Sequence, residues 1–260
     1  MNRYFIYLSY DGARYHGWQR QPNGSSVEET VERSLSLLLR RDVNIVGAGR
    51  TDTGVNASSM PAHFDVESDD ETLFTKNNGE TLQYKLNRIL PADIAVQKIV
   101  RVRPDAHARF DAVERTYYYY ITTEKNPFRV EHYYRIPFDV DFGRMNEAAD
   151  LLVRKGDFAS FAKTNSDVKT TICDVRRAVW VDLGDNAWRF EITADRFLRN
   201  MVRAVVGTLL DVGRGRMQPS DMENVLRNRN RCAAGESVFG GALFLHEVKY
   251  PANVFDYELP

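Results

Sequence analysis

The first half of the chain alternates between segments with a two-residue and a helical hydrophobic period. "RYFIYLSYDG" puts Tyr4, Ile6, Leu8 and Tyr10 on one face and ends in an Asp-Gly turn signal, which predicts a strand. "SSVEETVERSLSLLLR" repeats apolar residues at helical spacing behind a Ser26–Glu29 capping box, which predicts a helix with one buried stripe. The pattern then predicts strands in "VNIVGAG" and "PAHFDVES", a helix in "GETLQYKLNRIL" and a strand in "DIAVQKIVRV".

The second half repeats this mixture of periods. A strand is predicted in "ERTYYYYITT", and "FGRMNEAADLLVRKG" predicts an amphipathic helix that stops near Gly156. "CDVRRAVWVDL" and "AWRFEITA" predict a hairpin around a Gly-Asp-Asn turn. The remaining predictions are the longest helix in "RFLRNMVRAVVGTLLDVGRG", a short helix in "SDMENVLRNRN" capped by Ser220 and Glu223, and a last strand in "GGALFLHEVKY".

The mixed order of strands and helices predicts the fold class. It favours α+β, with two similar α/β halves and mainly antiparallel sheets, over a doubly wound parallel sheet. A chain of 260 residues is long enough for one large domain or two packed ones. We place the boundary near residues 103–110, which gives an N-terminal half at 1–105 and a C-terminal half at 106–260.

Composition and charge narrow the function classes. The 35 Lys and Arg residues balance 36 Asp and Glu residues, so the formal net charge of −1 creates no overall field that would attract nucleic acid. Of the 35 basic residues, however, 27 are Arg, whose planar guanidinium suits phosphate contacts and base stacking. A local basic surface is therefore compatible with the balanced total.

The chain shows neither a signal peptide nor a run of about 18 apolar residues, so we expect a soluble, cytoplasmic protein without a membrane partner. Cys173 and Cys232 stand far apart without a CxxC or a nearby His. We therefore expect reduced, structural thiols and no metal site.

The loop "GAGRTDTGV" at 47–55 contains three glycines around Arg50 and Asp52. It lacks the GK[ST] of a P-loop and the spacing of a dinucleotide fingerprint, so a phosphate cradle is not indicated. Two interpretations stay open for the loop alone. It is either a tight turn in which Asp52 accepts backbone N–H bonds, or a functional site around that carboxylate.

Two other segments carry candidate side chains with similarly ordinary alternatives. In "TYYYYI", Tyr117 and Tyr119 share one face of the predicted strand, an arrangement more often found in a core. On the predicted long helix, Arg196, Arg199 and Arg203 follow at i, i+3 and i+7 and form a basic stripe, which is usually a solvated face.

Five sequence blocks taken together are more specific. They are "YDGARYHGWQRQP", "AGRTDTGV", "HARFDA", "RTYYYYI" and "FLRNMVRAVVGTLLDVGRG", and they occur in this order over most of the chain. Their joint occurrence resembles the TruA family of tRNA pseudouridine synthases. The resemblance implies two α/β halves joined into one large central sheet, helices on its outer face and an active-site cleft between the halves.

The resemblance implies that Asp52 is the catalytic carboxylate. The family detaches uracil from a uridine in RNA, turns it and rejoins it through C5, a reaction without redox change, so no cofactor is expected. Asp52 would act as a nucleophile toward the sugar or the ring, or as the base that forms a glycal, and the sequence leaves these routes open. The loop glycines would let the backbone approach a nucleotide closely.

The family's other site residues match positions in the second half. Arg203 matches the arginine that keeps the carboxylate ionised, and Arg199 is available to meet phosphate. Tyr117 matches the active-site tyrosine that stacks on the target base, whereas Tyr119 is expected in the core. Leu243 matches an apolar residue packed under the base.

The resemblance also implies the substrate and the assembly. The substrate is the anticodon stem-loop of tRNA, with uridines 38, 39 and 40 as targets, and Arg50 matches an arginine that assists base flipping. Arg14, Gln19 and their aromatic neighbours Tyr15 and Trp18 are typical of an RNA-contacting loop, or equally of a surface hairpin pinned by Trp18. The family acts as a homodimer with one tRNA bound across both subunits.

The chain departs from the family pattern at Asn56, where the loop commonly has His. The acidic run at 66–71 would repel phosphate, so we expect it to point away from RNA. Two alternative functions stay open. One is a noncatalytic RNA-binding or chaperone protein, and the other is a hydrolase that pairs Asp52 with a second acid such as Asp65.

Overall fold

The computed structural model describes residues 1–22, 24–67, 73–74, 79–164 and 169–255. The chain divides into two compact units, the first formed by residues 1–113 together with the stretch from Leu245 onward, and the second by Glu114–Phe244. The sequence-based division at 105/106 makes both halves continuous in sequence, whereas the first unit of the structure also includes the stretch from Leu245 onward.

The α+β class predicted from the sequence is confirmed. The described residues form ten strands and five α-helices in mixed order. β1 pairs antiparallel with β3 and β4, and β9 pairs antiparallel with β5 and β8. The short strand β6 lies parallel to β5.

Six strands and α-helices lie in the described part of the first unit before residue 113. They are β1 (Asn2–Tyr10), α1 (Val27–Leu39), β2 (Val46–Gly47), β3 (Asn56–Val66), α2 (Glu80–Ile89) and β4 (Ile94–Val102). Their sheet runs in the order β4-β1-β3 and is continued by β10 (Leu243–Lys249). The predicted cap of α1 forms, since the Ser26 hydroxyl oxygen accepts the Glu29 N–H at 3.2 Å.

Strand β1 is buried on both faces, so Phe5 and Tyr7 are buried as well as the predicted face of Tyr4, Ile6, Leu8 and Tyr10. On one side the Tyr4 ring stacks on Phe74 at 4.3 Å between ring centroids. On the other side Phe5 and Tyr7 pack in a cluster that includes Val254 from the end of the chain. The returning C-terminal stretch thus covers the second face, and a contact between residues so far apart in sequence leaves no local signal in β1.

Eight strands and α-helices precede β10 in the described part of the second unit. They are β5 (Glu114–Thr122), β6 (Tyr134–Arg135), α3 (Phe142–Asp150), β7 (Lys155–Asp157), β8 (Ile172–Gly184), β9 (Ala187–Ala194), α4 (Met201–Gly213) and α5 (Asp221–Asn228). Its strand order is β5-β9-β8-β7. The predicted hairpin is confirmed, with Asp185 and Asn186 in the left-handed conformation at φ 49° and 53°.

Two predicted helices are shorter in the structure. α3 ends at Asp150, and Lys155–Asp157 instead pairs with β8. α4 begins only at Met201, because Asn200 adopts a left-handed φ of 67° that a continuous helix cannot contain. Arg196 and Arg199 therefore precede the helix, and the predicted basic helical stripe with Arg203 was wrong.

The predicted capping box of α5 was also wrong. The Ser220 side chain makes no capping hydrogen bond. The Glu223 carboxylate pairs instead with Arg154, an ion pair that competes for the group the cap would use. Tertiary contact has overridden a local preference here.

Both cysteines are free thiols, Cys173 buried and Cys232 exposed. None of the helices in the described part of the chain has the length and apolar character needed to cross a membrane.

His63 on β3 should make the stability of the fold depend on pH. Its Nδ1 accepts the Ala108 N–H at 3.1 Å, and burial lowers its pKa to about 4. In the unfolded chain the same imidazole has a pKa of about 6.5, so below that pH the unfolded state binds a proton that the folded state does not. The free energy of unfolding should therefore be highest above pH 6.5 and fall by about 3 kcal/mol as the pH drops toward 4. Urea unfolding at pH 7.5 and 4.5 measures this.

The matched control is His63→Gln, which keeps a polar side chain but does not titrate. Its unfolding free energy should change less between the two pH values than that of the wild type. An equally steep loss in both proteins would contradict the role assigned to His63.

Candidate active site

The loop at 47–55 is held against the segment at 10–18 by close backbone contacts. A Cβ added at Gly12 would lie 2.2 Å from the Val55 carbonyl oxygen, and one at Gly17 would lie 2.4 Å from the Thr51 carbonyl oxygen. Gly17 also has a φ of +91°, which L side chains rarely adopt. The two segments can approach this closely only because both positions lack a side chain.

Hydrogen bonds complete this contact. The Trp18 N–H donates to the Thr51 carbonyl at 3.2 Å, and the Gly54 N–H donates to the Tyr15 carbonyl at 3.3 Å. Within the loop, the Val55 N–H donates to the Asp52 carbonyl at 3.1 Å. The half-buried Asp52 therefore sits in a turn whose backbone is fixed on both sides.

Thr51, the residue before Asp52, is fixed through its side chain as well. Its hydroxyl shares a hydrogen bond of 2.9 Å with the Tyr10 hydroxyl, and both side chains are buried. Sequence reasoning did not single out either residue. A signal existed, since each lies inside one of the blocks that carry the family resemblance.

Asn56, which stands where the family commonly has His, has a structural role. Its side chain is 1% exposed, and its Oδ1 accepts the Gly12 N–H at 2.7 Å. A short amide at this position thus ties the end of the loop to the turn after β1. For the acidic run at 66–71, residues 68–71 lie outside the described residues, and its orientation stays a prediction.

The structure separates the predicted RNA-contacting cluster into buried and exposed members. Trp18 and Tyr15 are buried and pack inside the unit. Arg14 and Gln19 are exposed, and the Arg14 Nε donates to Asp93 Oδ2 at 2.7 Å, a hydrogen bond that raises the pKa of Arg14. Arg50 in the loop is exposed too.

Asp65 is unsuited to act as a second acid with Asp52. Both of its oxygens accept from the Arg3 guanidinium at 2.8 Å, and this hydrogen bonding lowers the pKa of the Asp65 carboxyl. Asp65 also lies nine residues along β3 from Asn56, which is about 30 Å in a strand. Glycoside hydrolysis needs two carboxyl groups within about 10 Å, so Asp65 does not fit the second acid of the hydrolase alternative.

In the second unit, Arg203 projects from the first turn of α4 and is held by the segment before β10. Its Nε donates to the Val238 carbonyl at 2.7 Å, and the Val238 N–H donates back to the Arg203 carbonyl at 3.3 Å. These bonds fix the base of the guanidinium and restrict its rotamers.

Tyr117 and Tyr119 of β5 have different surroundings. Tyr119 is fully buried, as predicted, and its hydroxyl donates to the Phe239 carbonyl at 2.9 Å, while burial raises its pKa. Tyr117 is only half-buried, and its ring meets the Phe197 ring edge-on at 5.1 Å. Sequence reasoning missed Phe197, which is part of the "FLRN" block and supports one edge of the tyrosine.

Leu243 and Arg199 complete the predicted residues of the second unit. Leu243 is buried at the start of β10, directly after a 3-10 turn at Gly240–Ala242. Arg199 is exposed ahead of α4, and its carbonyl accepts the Lys163 N–H at 2.9 Å.

Known proteins similar to this chain define its class. The family described as tRNA pseudouridine synthase matches residues 148–251. A tRNA pseudouridine synthase A from Bacteroides fragilis is 54% identical over 256 residues, covering 98% of this chain and 99% of the relative. Proteins of the same name from Porphyromonas gingivalis and Bacillus licheniformis are 48% and 37% identical, covering 98% and 94% of this chain and 100% and 97% of those proteins.

The class is therefore that of the pseudouridine synthases. The chain belongs to the tRNA pseudouridine synthase A family, the TruA family that its sequence blocks resemble.

The close contact between the two segments gives a prediction about Gly17. Gly17→Ala adds a Cβ into the Thr51 carbonyl at a positive φ, so it should lower the free energy of unfolding by more than 2 kcal/mol, roughly the upper cost of the left-handed backbone alone. Gly54→Ala is the matched control, since Gly54 also has a positive φ of 75° but its Cβ would meet nothing within 4 Å.

Urea unfolding of both variants separates backbone strain from the steric contact. We expect about 1–2 kcal/mol for Gly54→Ala and a larger loss for Gly17→Ala. Equal losses would mean that the segment at 10–18 moves away easily and does not restrain the loop.

Proposed function

We propose that this protein isomerises uridine to pseudouridine in tRNA, with Asp52 as the catalytic carboxylate. The observation that carries the proposal is the fixed turn around Asp52 in a chain 54% identical to a tRNA pseudouridine synthase A over nearly its whole length. A turn fixed by backbone bonds on both sides suits a group that must meet one atom of a bound nucleotide.

The reaction breaks the bond between N1 of uracil and C1′ of the ribose and forms a bond between C5 and C1′. C5 loses a proton and N1 gains one, so the overall change is an isomerisation. Asp52 attacks C1′, attacks C6 of the ring, or removes a ribose proton to give a glycal, and all three routes need it ionised. Each route releases the proton of C5, which supplies a direct assay.

We propose that Arg203 supplies the positive charge that keeps Asp52 ionised beside bound RNA. Its Nε donates to the Val238 carbonyl at 2.7 Å, which holds the always-charged guanidinium in a defined position. Tyr117, half-buried and supported by Phe197, would stack on the uracil, and Leu243 would pack beneath it.

The exposed residues of the site fit contacts with the RNA backbone. We propose that Arg50 assists in flipping the uridine out of its stack and that Arg199, Arg14 and Gln19 contact the RNA around it. The proposed substrate is the anticodon stem-loop of tRNA, with uridines 38, 39 and 40 as targets. Bases near a loop are the least costly to flip, because they are already partly unstacked.

The substitution Asp52→Asn tests this function. Release of tritium from C5-tritiated uridine in unmodified tRNA, without added cofactor, should occur with the wild type and fall at least a thousandfold in the variant, because an amide cannot replace the carboxylate in any of the three routes. Binding of tRNA by the variant, measured by filter retention, should change little.

Two controls sharpen this experiment. Asp65→Asn removes a carboxylate of the same unit that lies far along β3, so it should keep tritium release. A tRNA with cytidines at 38, 39 and 40 should release none. Binding without release by the wild type would instead support a noncatalytic RNA-binding protein, and free uracil would indicate hydrolysis.

We further propose that the protein acts in the cytoplasm as a homodimer with one tRNA across both subunits. A net charge of −1 gives each copy no overall field that attracts tRNA, and a two-fold pair would join two modest basic surfaces into one footprint. Light scattering after gel filtration should give about twice the chain mass of 29.9 kDa. A monomer at assay concentration would exclude this arrangement.

A further inference from the structure

The hydroxyl pair of Tyr10 and Thr51 links the end of β1 to the residue before Asp52. The two oxygens lie 2.9 Å apart, although the residues are 41 positions apart in sequence. Tyr10 is 4% exposed and Thr51 is 7% exposed, so water has little access to compete for the bond. The link is thus a buried tertiary hydrogen bond, in contrast to the local bonds within the loop.

Thr51 is held at two further points. Its carbonyl accepts the Trp18 N–H at 3.2 Å, and the backbone at Gly17 packs directly against the same carbonyl. Backbone and side chain together fix the orientation of the peptide that leads into Asp52. Beyond Asp52, the Val55 N–H closes the turn on the Asp52 carbonyl.

We propose that Tyr10 is a positioning residue for Asp52 and that it acts through the Thr51 hydroxyl. This inference rests on the proposed function of Asp52. Tyr10 ends a strand that is buried on both faces and paired on both edges, so its hydroxyl is a rigid reference point. Thr51 transmits that rigidity to the next residue, and neither hydroxyl needs to touch the uridine.

The expected effect is on turnover more than on folding or binding. One hydrogen bond is a small part of the stability of the first unit, which Gly12, Gly17 and the β1 core secure independently. A catalytic group displaced by about 1 Å, in contrast, costs up to a hundredfold in rate. Loss of the hydroxyl link should therefore lower kcat while KM for tRNA changes little.

The test compares Tyr10→Phe, Thr51→Val and the double variant in the tritium-release assay. Each single substitution removes one hydroxyl at nearly constant shape and should lower kcat about tenfold or more, with KM within twofold of the wild type. The double variant should be no slower than the slower single one, because both changes break the same link. Thr51→Ser, which keeps the hydroxyl, should recover most of the wild-type kcat.

Tyr7→Phe is the matched control, since it makes the same change on the opposite face of the same strand and should leave kcat unchanged. Wild-type kcat in both single variants overturns the inference, as do losses that multiply in the double variant. The inference is also overturned if the fall in kcat is accompanied by a comparable fall in the melting temperature and Thr51→Ser does not restore kcat. The same assay must show tritium release by the wild type and none by Asp52→Asn. If it does not, the result counts against the proposed function and not against the role of Tyr10.

Discussion

The first unit depends on one contact, the approach of the turn after β1 to the backbone of the loop at 47–55. At Gly12 and Gly17 the backbones of the two segments lie closer than any side chain at these positions would permit. Asn56, Trp18 and Tyr15 make their hydrogen bonds to the opposite segment because the segments are already in contact. The glycine-rich loop is therefore a rigid element, although its composition is typical of a mobile one.

Several carboxylates of both units are engaged in ion pairs and hydrogen bonds. Asp65 is occupied by Arg3, Asp93 receives both Arg14 and Tyr15, and Glu223 is engaged by Arg154. In the second unit Glu191 is buried between Arg177 and Arg189. These four carboxylates are engaged in contacts that join separate segments of the chain, which gives each of them a structural role.

Local sequence signals predicted those parts of the fold that local interactions stabilise. The Ser26 cap of α1 and the Asp185–Asn186 hairpin are examples, because each is decided within a few residues. The late start of α4 depends on the left-handed Asn200, and the second buried face of β1 depends on a distant stretch of chain. Neither the start of α4 nor the second buried face of β1 can be predicted from hydrophobic periodicity.

The candidate site divides in the same way. Motif resemblance singled out Asp52, Tyr117 and Arg203 as candidates because they lie within three of the five blocks, and it singled out Leu243 in the last strand segment. It could not find the supports behind them, such as the Tyr10 hydroxyl or the Phe197 ring, because their partners are 41 and 80 residues away in sequence. Contacts across such separations are set by strand register and packing, which a single sequence does not display.

The return of the chain to the first unit has a consequence for biosynthesis. β10 continues the sheet of that unit beside β3, and Val254 fills its core, yet both are synthesised only after the second unit. The second unit is complete in the nascent chain before the first one is. The loop that presents Asp52 therefore belongs to a unit whose sheet stays unfinished until the second unit has been synthesised, so a chain truncated before β10 lacks a finished sheet in that unit.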